Sequence, residues 1–387
     1  MGWRLRHWRE AATLLLAAGG PCASPPRPTA AAGVFDYELL LLRRSPRSAF
    51  LPSAHVFPGG VADAADFSSD WLQLLPGGPR CGLGSVRGEC PRAPLFAAER
   101  PELGSPLPGD VAFRLCAIRE AFEEAGVLLV LPGPVADAAA AAAASADPAR
   151  LLPAERLPPS SELADWRLRV QRQPSSFLQL CRHLSCVPNI WALREWSNWL
   201  TPVGRAGRGG RRYDTAFYLC CLGQAPPVAS HDDREVTACQ WSTPSEAVEL
   251  FKSQDISIAP PQFYEFCRLC NFTSLHDLHR FASERALEGC ERWMPVLMIA
   301  SDGHMQILPG DELYPEDPDF TGERKPMLMT DKKIEDLMKG TSRLHRIVTQ
   351  DHKNVNIYVN IQPKYKHINP ITMDFKRGNN SDCNSKL

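Results

Sequence analysis

The sequence has no long hydrophobic run and almost no net charge, and each absence excludes a class of protein. The longest apolar stretches, residues 11–18 and 126–132, fall short of the roughly 18 residues that a membrane span needs, so we expect a soluble chain without one. Lysines and arginines number 43 against 44 aspartates and glutamates, a balance of −1 that argues against nucleic acid as the main partner. Hydrophobic residues at 44% and charged residues at 22% are typical of a folded globular protein.

The sequence also lacks a paired cysteine motif. Its 13 cysteines are scattered, and only Cys267 and Cys270 form a CxxC pair. His276 and His279 follow this pair too closely for a familiar zinc-finger spacing, and a second pair of ligands is missing. The pattern therefore predicts reduced thiols one helical turn apart rather than a structural metal.

Hydrophobic periodicity predicts strands interleaved with helices, which indicates an α/β or α+β fold with additions at the C-terminal end. Residues 12–16 and 38–42 are short apolar runs typical of buried strands. The alternative for residues 11–18 is a targeting segment, because Arg4, Arg6 and Arg9 precede them. Further strands are expected at 127–131, 212–222, 235–241, 294–300, 305–308 and twice within 344–361, and helices at 111–125, 162–171, 175–184, 261–270 and 275–291.

Two segments between these elements have little periodicity. Residues 76–108 are rich in proline, glycine and arginine, so we expect an exposed insertion that the chemistry does not need. Residues 132–159 contain the alanine tract 138–144 and are expected to form a loop. A third signal is positive: Thr243 to Glu246 is a capping box with proline at the first helical position, which predicts a helix to about residue 251.

The helix predicted at residues 111–125 is the most informative segment. Four apolar residues fall on one face: Val111, Leu115, Ile118 and Phe122. Glu120, Glu123 and Glu124 cluster on the opposite face, which we expect to point outward, and like charges at this spacing repel each other. A divalent cation would relieve the repulsion, since carboxylate oxygens suit Mg²⁺ or Mn²⁺. The alternative is an acidic, solvent-exposed helix end.

Residues 119–127, REAFEEAGV, match the REUXEEXGU core of the box that defines the Nudix hydrolases. Gly59 and Gly60 resemble the glycine pair that opens this box, although Arg119 lies 119 − 60 = 59 residues after Gly60, about 45 more than is usual in the family. The first glutamate of the box is missing, and Asp66 or Asp110 is the nearest replacement. The tryptophans at 191, 196 and 199 and residues 212–217 extend the resemblance along the chain, particularly to coenzyme A-cleaving members of the family.

The resemblance implies a Nudix fold, in which a mixed β-sheet lies between helices, and metal-dependent hydrolysis of the diphosphate in coenzyme A or its acyl esters. Glu120 and Glu124 would hold Mg²⁺ or Mn²⁺, with Glu123 as a third ligand or as the general base. Arg119 would orient a glutamate. Glu235 is the second candidate for the base, because some Nudix enzymes use a glutamate from a late strand; otherwise it is an ordinary carboxylate at a strand start.

The same resemblance divides the chain into three regions. Residues 10–255 would form the Nudix domain, with the insertion at about 70–108 and the alanine-rich loop at 132–159. Residues 256–375 would form an extension packed on this domain, and residues 376–387 a flexible tail.

Two arginine-rich segments are candidates for binding the phosphates of the substrate. Arg43, Arg44 and Arg47 precede the glycine pair and partly resemble the segment found there in coenzyme A-cleaving Nudix enzymes. A glycine-rich loop carries four more, whose guanidinium groups suit the 3′-phosphate of coenzyme A: Arg205, Arg208, Arg211 and Arg212. The alternative for this loop is a solvated segment that only aids solubility.

The chain ends in Ser385-Lys386-Leu387, a tripeptide that the peroxisomal import receptor reads. We therefore expect a peroxisomal location, unless the basic N-terminus adds a mitochondrial address. Three functions remain in competition: an acyl-coenzyme A diphosphatase, a Nudix diphosphatase for NADH, ADP-ribose or capped RNA, and a non-catalytic Nudix binding module. The intact glutamates Glu120, Glu123 and Glu124 argue against the third.

Overall fold

The computed structural model describes residues 8–19, 35–84, 86, 91–98, 100, 103–133, 147–203, 211–320, 327–350 and 354–372. Four sequence predictions lie outside these residues: the basic residues before Trp8, the alanine tract, the pair Arg205 and Arg208, and the C-terminal tripeptide. Among the described helices, none is long and apolar enough to cross a membrane.

The described residues form fifteen strands and eight α-helices. The strands are β1 Arg9–Gly19, β2 Tyr37–Arg44, β3 His55–Val56, β4 Gly59–Val61, β5 Val130–Pro132, β6 Cys186–Pro188, β7 Arg194–Leu200, β8 Tyr213–Leu222, β9 Val236–Ser242, β10 Arg292–Trp293, β11 Val296–Ala300, β12 Gly303–Ile307, β13 Met327–Met329, β14 His345–Gln350 and β15 Asn354–Val359. The helices are α1 Pro94–Ala97, α2 Gly109–Ala125, α3 Ser160–Arg172, α4 Ser176–His183, α5 Pro244–Lys252, α6 Pro260–Leu269, α7 Leu275–Arg285 and α8 Ile334–Met338.

A mixed eight-stranded sheet forms the centre of the molecule. Its main path runs β10-β7-β8-β1-β2-β3, while β4 pairs with β1 and β9 pairs with β2. Strand β1 lies parallel to β8 and antiparallel to β2 and β4. Strand β1 is therefore central, and the strand interpretation of residues 11–18 is confirmed.

Both faces of this sheet are buried, because helices cover each side. In β1, Leu14 and Leu16 point to the side of α2, while Leu15 packs with the core on the side of α6 and α7. The same alternation continues along β2 and β8, and the burial of both faces explains the apolar runs in β1 and β2. The expected sheet between helices is confirmed.

A second sheet, ordered β13-β11-β12-β14-β15, follows in the C-terminal part. It contains the predicted hairpin, since β11 and β12 are antiparallel and turn at residues 301–302. Leu308, Ile347 and Ile357 from this part join the core cluster that contains Leu15 and Phe263. The two sheets thus share one apolar core.

The prediction that residues 76–108 form an exposed insertion is wrong for part of the described segment. Cys81, Leu95 and Phe96 are at most 1% exposed and belong to the core cluster of α2. The guanidinium of Arg92 binds both Asp110 at the start of α2 and Glu195 in β7. Isolated apolar residues between prolines and glycines build this packing, so no periodic pattern reveals it in the sequence.

Some predicted boundaries also shift. The strand expected from residue 127 begins at Val130, and the helix expected to reach residue 291 ends at Arg285 before one short 3₁₀ turn. The predicted N-cap is confirmed in the expected place, since the Thr243 hydroxyl accepts a hydrogen bond from the amide of Glu246 at 3.2 Å.

Candidate active site

Helix α2 carries the three glutamates and is surrounded by protein on almost every side. It ends at Gly126, whose φ of 71° is the left-handed conformation that glycine adopts readily at a helix C-terminus. Glu124 is only 4% exposed, and the side chains of Glu120 and Glu123 are 12% exposed. The expectation that these residues point outward is therefore wrong. We call Glu120, Glu123 and Glu124 the carboxylate face.

Arg119 connects the carboxylate face to the rest of the site. Its Nη1 atom donates to Glu120 at 2.9 Å and to Glu123 at 2.6 Å. Its Nε and Nη2 atoms form a two-pronged ion pair with Asp66 at 2.8 and 2.9 Å. Burial opposes the charge of Arg119, but Asp66 and Glu120 outweigh it and raise the pKa of the guanidinium. Arg119 thus orients two glutamates at once, in line with its predicted role.

Asp66, and not Asp110, lies at the carboxylate face, where it pairs with Arg119. Asp66 is 1% exposed and lies six residues after Gly60 in a short 3₁₀ helix, Ala64–Phe67, where its second oxygen also accepts the amide of Asp63. Asp110 instead pairs with Arg114 and Arg92 at the other end of α2. Its role there is structural, so the Asp110 alternative is wrong.

The glycine pair touches the carboxylate face directly, although 59 residues separate it from Arg119 in the chain. The amide of Gly59 donates to Glu124 Oε2 at 2.8 Å. A Cβ atom on Gly60 would lie 2.4 Å from the carboxyl carbon of Glu120, closer than atoms can approach. The split motif is therefore reunited in three dimensions, and Gly60 must be glycine so that Glu120 can lie against β4.

The carboxylate face holds more negative charge than its neighbours neutralise. Burial raises the pKa of Glu120 to about 7, although Arg119 opposes the shift, and Glu123 and Asp66 add to it. Burial also raises the pKa of Glu123, and burial together with the charge of Glu120 raises the pKa of Glu124 well above its usual range. The guanidinium of Arg119 pairs with three acids, and Glu124 adds a fourth carboxyl group, so additional positive charge would stabilise this arrangement.

This arrangement fits a divalent cation by its chemistry but is not a preformed metal site. Within the described residues, no group of three or more acidic, histidine or cysteine side chains converges as a metal cluster. Glu120 and Glu123 turn toward Arg119, while Glu124 turns toward Gly59. The donor set nevertheless consists of carboxylate oxygens, which are the ligands that Mg²⁺ and Mn²⁺ take.

Glu235, the second base candidate, lies at the edge of the same site. Its side chain is exposed, and its charge helps to raise the pKa of both Glu123 and Glu124. Its amide is held by Asp232, and its carbonyl accepts the amide of Ser45 at 2.8 Å. The fold therefore brings Glu235 near the carboxylate face from a strand more than 100 residues later.

Two site residues had no signal in the sequence. Arg167 and Gln171, one turn apart on α3, both donate to the backbone carbonyl of Glu123, at 2.8 and 2.9 Å. Arg167 also binds the hydroxyl and carbonyl of Ser230, which ties the segment before Glu235 to the end of α2. Their i, i+4 spacing places them on one helix face, but nothing in the sequence indicates which partner that face has.

The predicted phosphate-binding arginines fall in different places. Arg44 is half-buried and near enough to Glu124 to lower the pKa of that carboxyl group, while Arg43 and Arg47 are exposed. Arg211 is exposed, and the guanidinium of Arg212 lies 5.2 Å from the ring centre of Trp8. Of the first arginine group, Arg44 thus borders the carboxylate face.

Comparison with known proteins identifies a family over most of the chain. Residues 8–269 match the family described as NUDT19 Nudix domain, and residues 297–360 match the one described as NUDT19 C-terminal domain. A solved Nudix hydrolase from Alicyclobacillus acidocaldarius gives a TM-score of 0.45 at 20% identity, covering 73% of this chain and 97% of that one, a likeness too distant to bear on function.

Three curated relatives bear the name acyl-coenzyme A diphosphatase NUDT19. The chain is 62% identical to the one from Gallus gallus, with 100% of both chains covered. It is 50% identical to the one from Homo sapiens, covering 94% of this chain and 95% of the relative. It is 48% identical to the one from Xenopus laevis, covering 97% and 98%.

Proposed function

The chain belongs to the Nudix hydrolase family, and from that membership we propose that it hydrolyses the diphosphate of coenzyme A and acyl-coenzyme A. The products would be 3′,5′-ADP and 4′-phosphopantetheine, or its acyl ester. The observation that carries the chemistry is the carboxylate face, where Arg119 pairs with two of the three glutamates and burial raises the pKa of all three. The names of the relatives support the choice of substrate.

Mg²⁺ or Mn²⁺ would be held by Glu120 and Glu124, with Glu123 as a third ligand. A bound divalent cation neutralises phosphate oxygens and lowers the pKa of an attached water. The protein contributes position: Arg119 fixes Glu120 and Glu123, and the amide of Gly59 fixes Glu124.

Hydrolysis needs a carboxylate that takes a proton from the attacking water as its oxygen bonds to one phosphorus and the bridging P–O bond breaks. Glu123 is the first candidate and Glu235 the second. Two variants separate them: Glu123→Gln and Glu235→Gln. Loss of the base lowers kcat and leaves the Mg²⁺ dissociation constant unchanged by calorimetry, whereas loss of a ligand weakens Mg²⁺ binding. Arg44 and the loop that carries Arg205, Arg208, Arg211 and Arg212 are proposed to bind substrate phosphates.

Mass spectrometry of the products tests this function. The purified protein with Mg²⁺ is given coenzyme A, several acyl esters, NADH, ADP-ribose and capped RNA. We expect 3′,5′-ADP plus acyl-phosphopantetheine with its thioester intact, and one ¹⁸O atom in one product phosphate when the water is labelled. Free thiol with an intact diphosphate would overturn the proposal, cleavage of NADH or RNA alone would favour the other Nudix substrates, and no cleavage at all would favour a binding module.

We also propose that the enzyme enters peroxisomes through Ser385-Lys386-Leu387. An N-terminally tagged full chain should give peroxisomal puncta, while a chain truncated before Ser385 should stay in the cytosol. Puncta that survive truncation would show that another segment carries the address, and a mitochondrial pattern would favour the basic N-terminus.

A further inference from the structure

A groove of about 540 Å³ lies beside the active site, in a part of the surface that the proposed chemistry does not use. One wall is the 3₁₀ segment around Ala64 to Asp70, and the opposite wall is α4, from Ser175 to Arg182. Leu103 and Gly104 from the insertion close one side. Its volume is in the range of small-molecule binding sites.

Both walls continue from segments that hold the carboxylate face. The first wall contains Asp66, which pairs with Arg119. The second wall begins three residues after the end of α3, whose Arg167 and Gln171 hold the carbonyl of Glu123. The groove lining therefore neighbours, along the chain on both walls, the residues that hold the carboxylate face: Ala65 and Phe67 flank Asp66, and Ser175 follows Gln171 by four residues.

The side chains of the groove alternate between apolar and neutral polar groups. Leu178 and the 38% exposed Leu103 supply apolar surface, while hydroxyl and amide groups come from Ser68, Ser69, Ser105, Ser175 and Gln179. Asp70 and Arg182 stand at the rim with opposite charges, and Arg182 is already bonded to Gln73 at 2.7 Å. The lining is thus close to neutral.

This lining distinguishes among the three parts of an acyl-coenzyme A molecule. The adenosine 3′-phosphate would need cations and a ring to stack on, but Arg182 is the one cation among the described lining residues and the ring of Phe67 is 3% exposed. A long acyl chain would need a continuous apolar wall. A pantetheine arm carries two amides, a hydroxyl and a pair of methyl groups, which match the serines, Gln179 and the two leucines.

We propose that this groove binds the pantetheine arm of the substrate. The inference rests on the proposed function, because only a coenzyme A substrate has such an arm. It also assigns a role to the insertion that splits the Nudix motif. Leu103 and Gly104 of this insertion would form part of the pantetheine-binding surface.

Groove-filling variants test the inference. Leu103→Trp and Gln179→Trp replace exposed side chains and should fill the groove without disturbing the core, and Glu284→Trp on α7 is the matched control at an exposed position elsewhere. Inhibition of hydrolysis by the two product halves is measured separately. We expect the inhibition constant of 4′-phosphopantetheine to rise about tenfold or more in both groove variants and that of 3′,5′-ADP to change less than about twofold. The control should change neither, and thermal unfolding checks that each variant is folded.

Unchanged inhibition by 4′-phosphopantetheine in both groove variants would overturn the inference. A rise for 3′,5′-ADP alone would also overturn it, because the groove would then hold the nucleotide. Failure of the proposed function looks different, since the wild-type protein itself would leave coenzyme A esters intact while cleaving another diphosphate.

Discussion

Two buried acidic regions of this molecule differ in how completely their carboxylates are paired with hydrogen-bond donors and cations. Glu265 on α6 is completely buried and fully partnered: it accepts hydrogen bonds from Trp196, Ser197 and Trp199 at 2.8 Å and pairs with Arg268. The carboxylate face of α2 is nearly as buried, but the single guanidinium of Arg119 pairs with Glu120, Glu123 and Asp66, while Glu124 accepts the amide of Gly59. The first region is complete without a ligand, whereas the second needs positive charge from outside.

The difference separates structural from functional acids. A saturated buried carboxylate holds its surroundings together, and removing it leaves its donors unsatisfied. An excess of buried carboxylates works against folding, so its presence in α2 indicates a use in binding. Removing a carboxylate should therefore lower folding stability in the first region and lower turnover, without loss of stability, in the second.

The largest effect is expected from Glu265→Ala. It leaves two indole N–H groups and the guanidinium of Arg268 without their acceptor, and we expect a loss of about 3–5 kcal/mol of folding stability. Chemical denaturation measures this loss. Asp277→Ala, which breaks an exposed pair with Arg280, is the control and should cost less than about 1 kcal/mol. Equal costs for the two variants would remove the contrast between the regions.

Glu124→Gln should reverse this pattern. Glutamine keeps an oxygen that can accept the amide of Gly59 but removes a charge that the site repels, so the melting temperature should not fall. Turnover should drop about a hundredfold or more, because a metal ligand is lost. Steady-state kinetics at saturating Mg²⁺ and a thermal melt measure both. Near wild-type turnover would contradict the assignment of Glu124, and Glu284→Gln controls for the substitution itself.

A pH effect of intermediate size is expected from His345, which is bonded to Tyr264 next to Glu265. His345 is 1% exposed, with its ring nitrogens occupied by Tyr264 and by the carbonyl of Pro309, and burial lowers its pKa to about 4. Below pH 6.5 the His345 side chain binds a proton in the unfolded chain, whereas in the folded protein it stays neutral until the pH approaches 4. The stability contribution is therefore complete above pH 6.5 and is lost as the pH falls toward 4, by about 2 kcal/mol between pH 7 and 5.

The measurement is the free energy of unfolding at pH 7 and 5 for the wild-type protein and for His345→Gln. The variant should lose about 2 kcal/mol less than the wild type over this interval. Parallel pH profiles would show that His345 does not titrate as described.

The smallest effect is expected from Asp66→Asn. Asparagine keeps the size and shape of the side chain but removes the negative charge that holds Arg119, so Arg119 should shift toward Glu120 and Glu123. We expect turnover to fall about tenfold, and Asp66→Glu to recover part of it. Full activity of Asp66→Asn would show that Asp66 does not position Arg119 for the chemistry.

The sequence predicted most of the central fold because the strands and helices of this core have strong local patterns. Apolar runs identified β1 and β2, alternation identified β8, and the helical period identified α2. The motif identified Glu120, Glu123 and Glu124 as neighbours, since residues three and four apart lie on one helix face.

What the sequence could not provide was the environment of that face. The outward direction was wrong because one helical period gives only the most apolar side, and it cannot show that α3, β4 and the Ala64–Phe67 turn cover the opposite side as well. Asp66 and Arg167 act through partners 53 and 44 residues away, which no local pattern encodes. The packed insertion was missed for the same reason: Leu95 and Phe96 are buried by distant contacts.

The pairing of β1 with β8 has a consequence for synthesis on the ribosome. Arg9 is aligned with Tyr213, so the parallel partner of the first strand emerges 213 − 9 = 204 residues later. At about 5–20 residues per second, one edge of an apolar strand remains open for roughly 10–40 seconds. Such an edge can pair with other chains during this time. The N-terminal half alone is therefore not a folding unit, and nascent chains of this enzyme should depend on protection until β8 has been made.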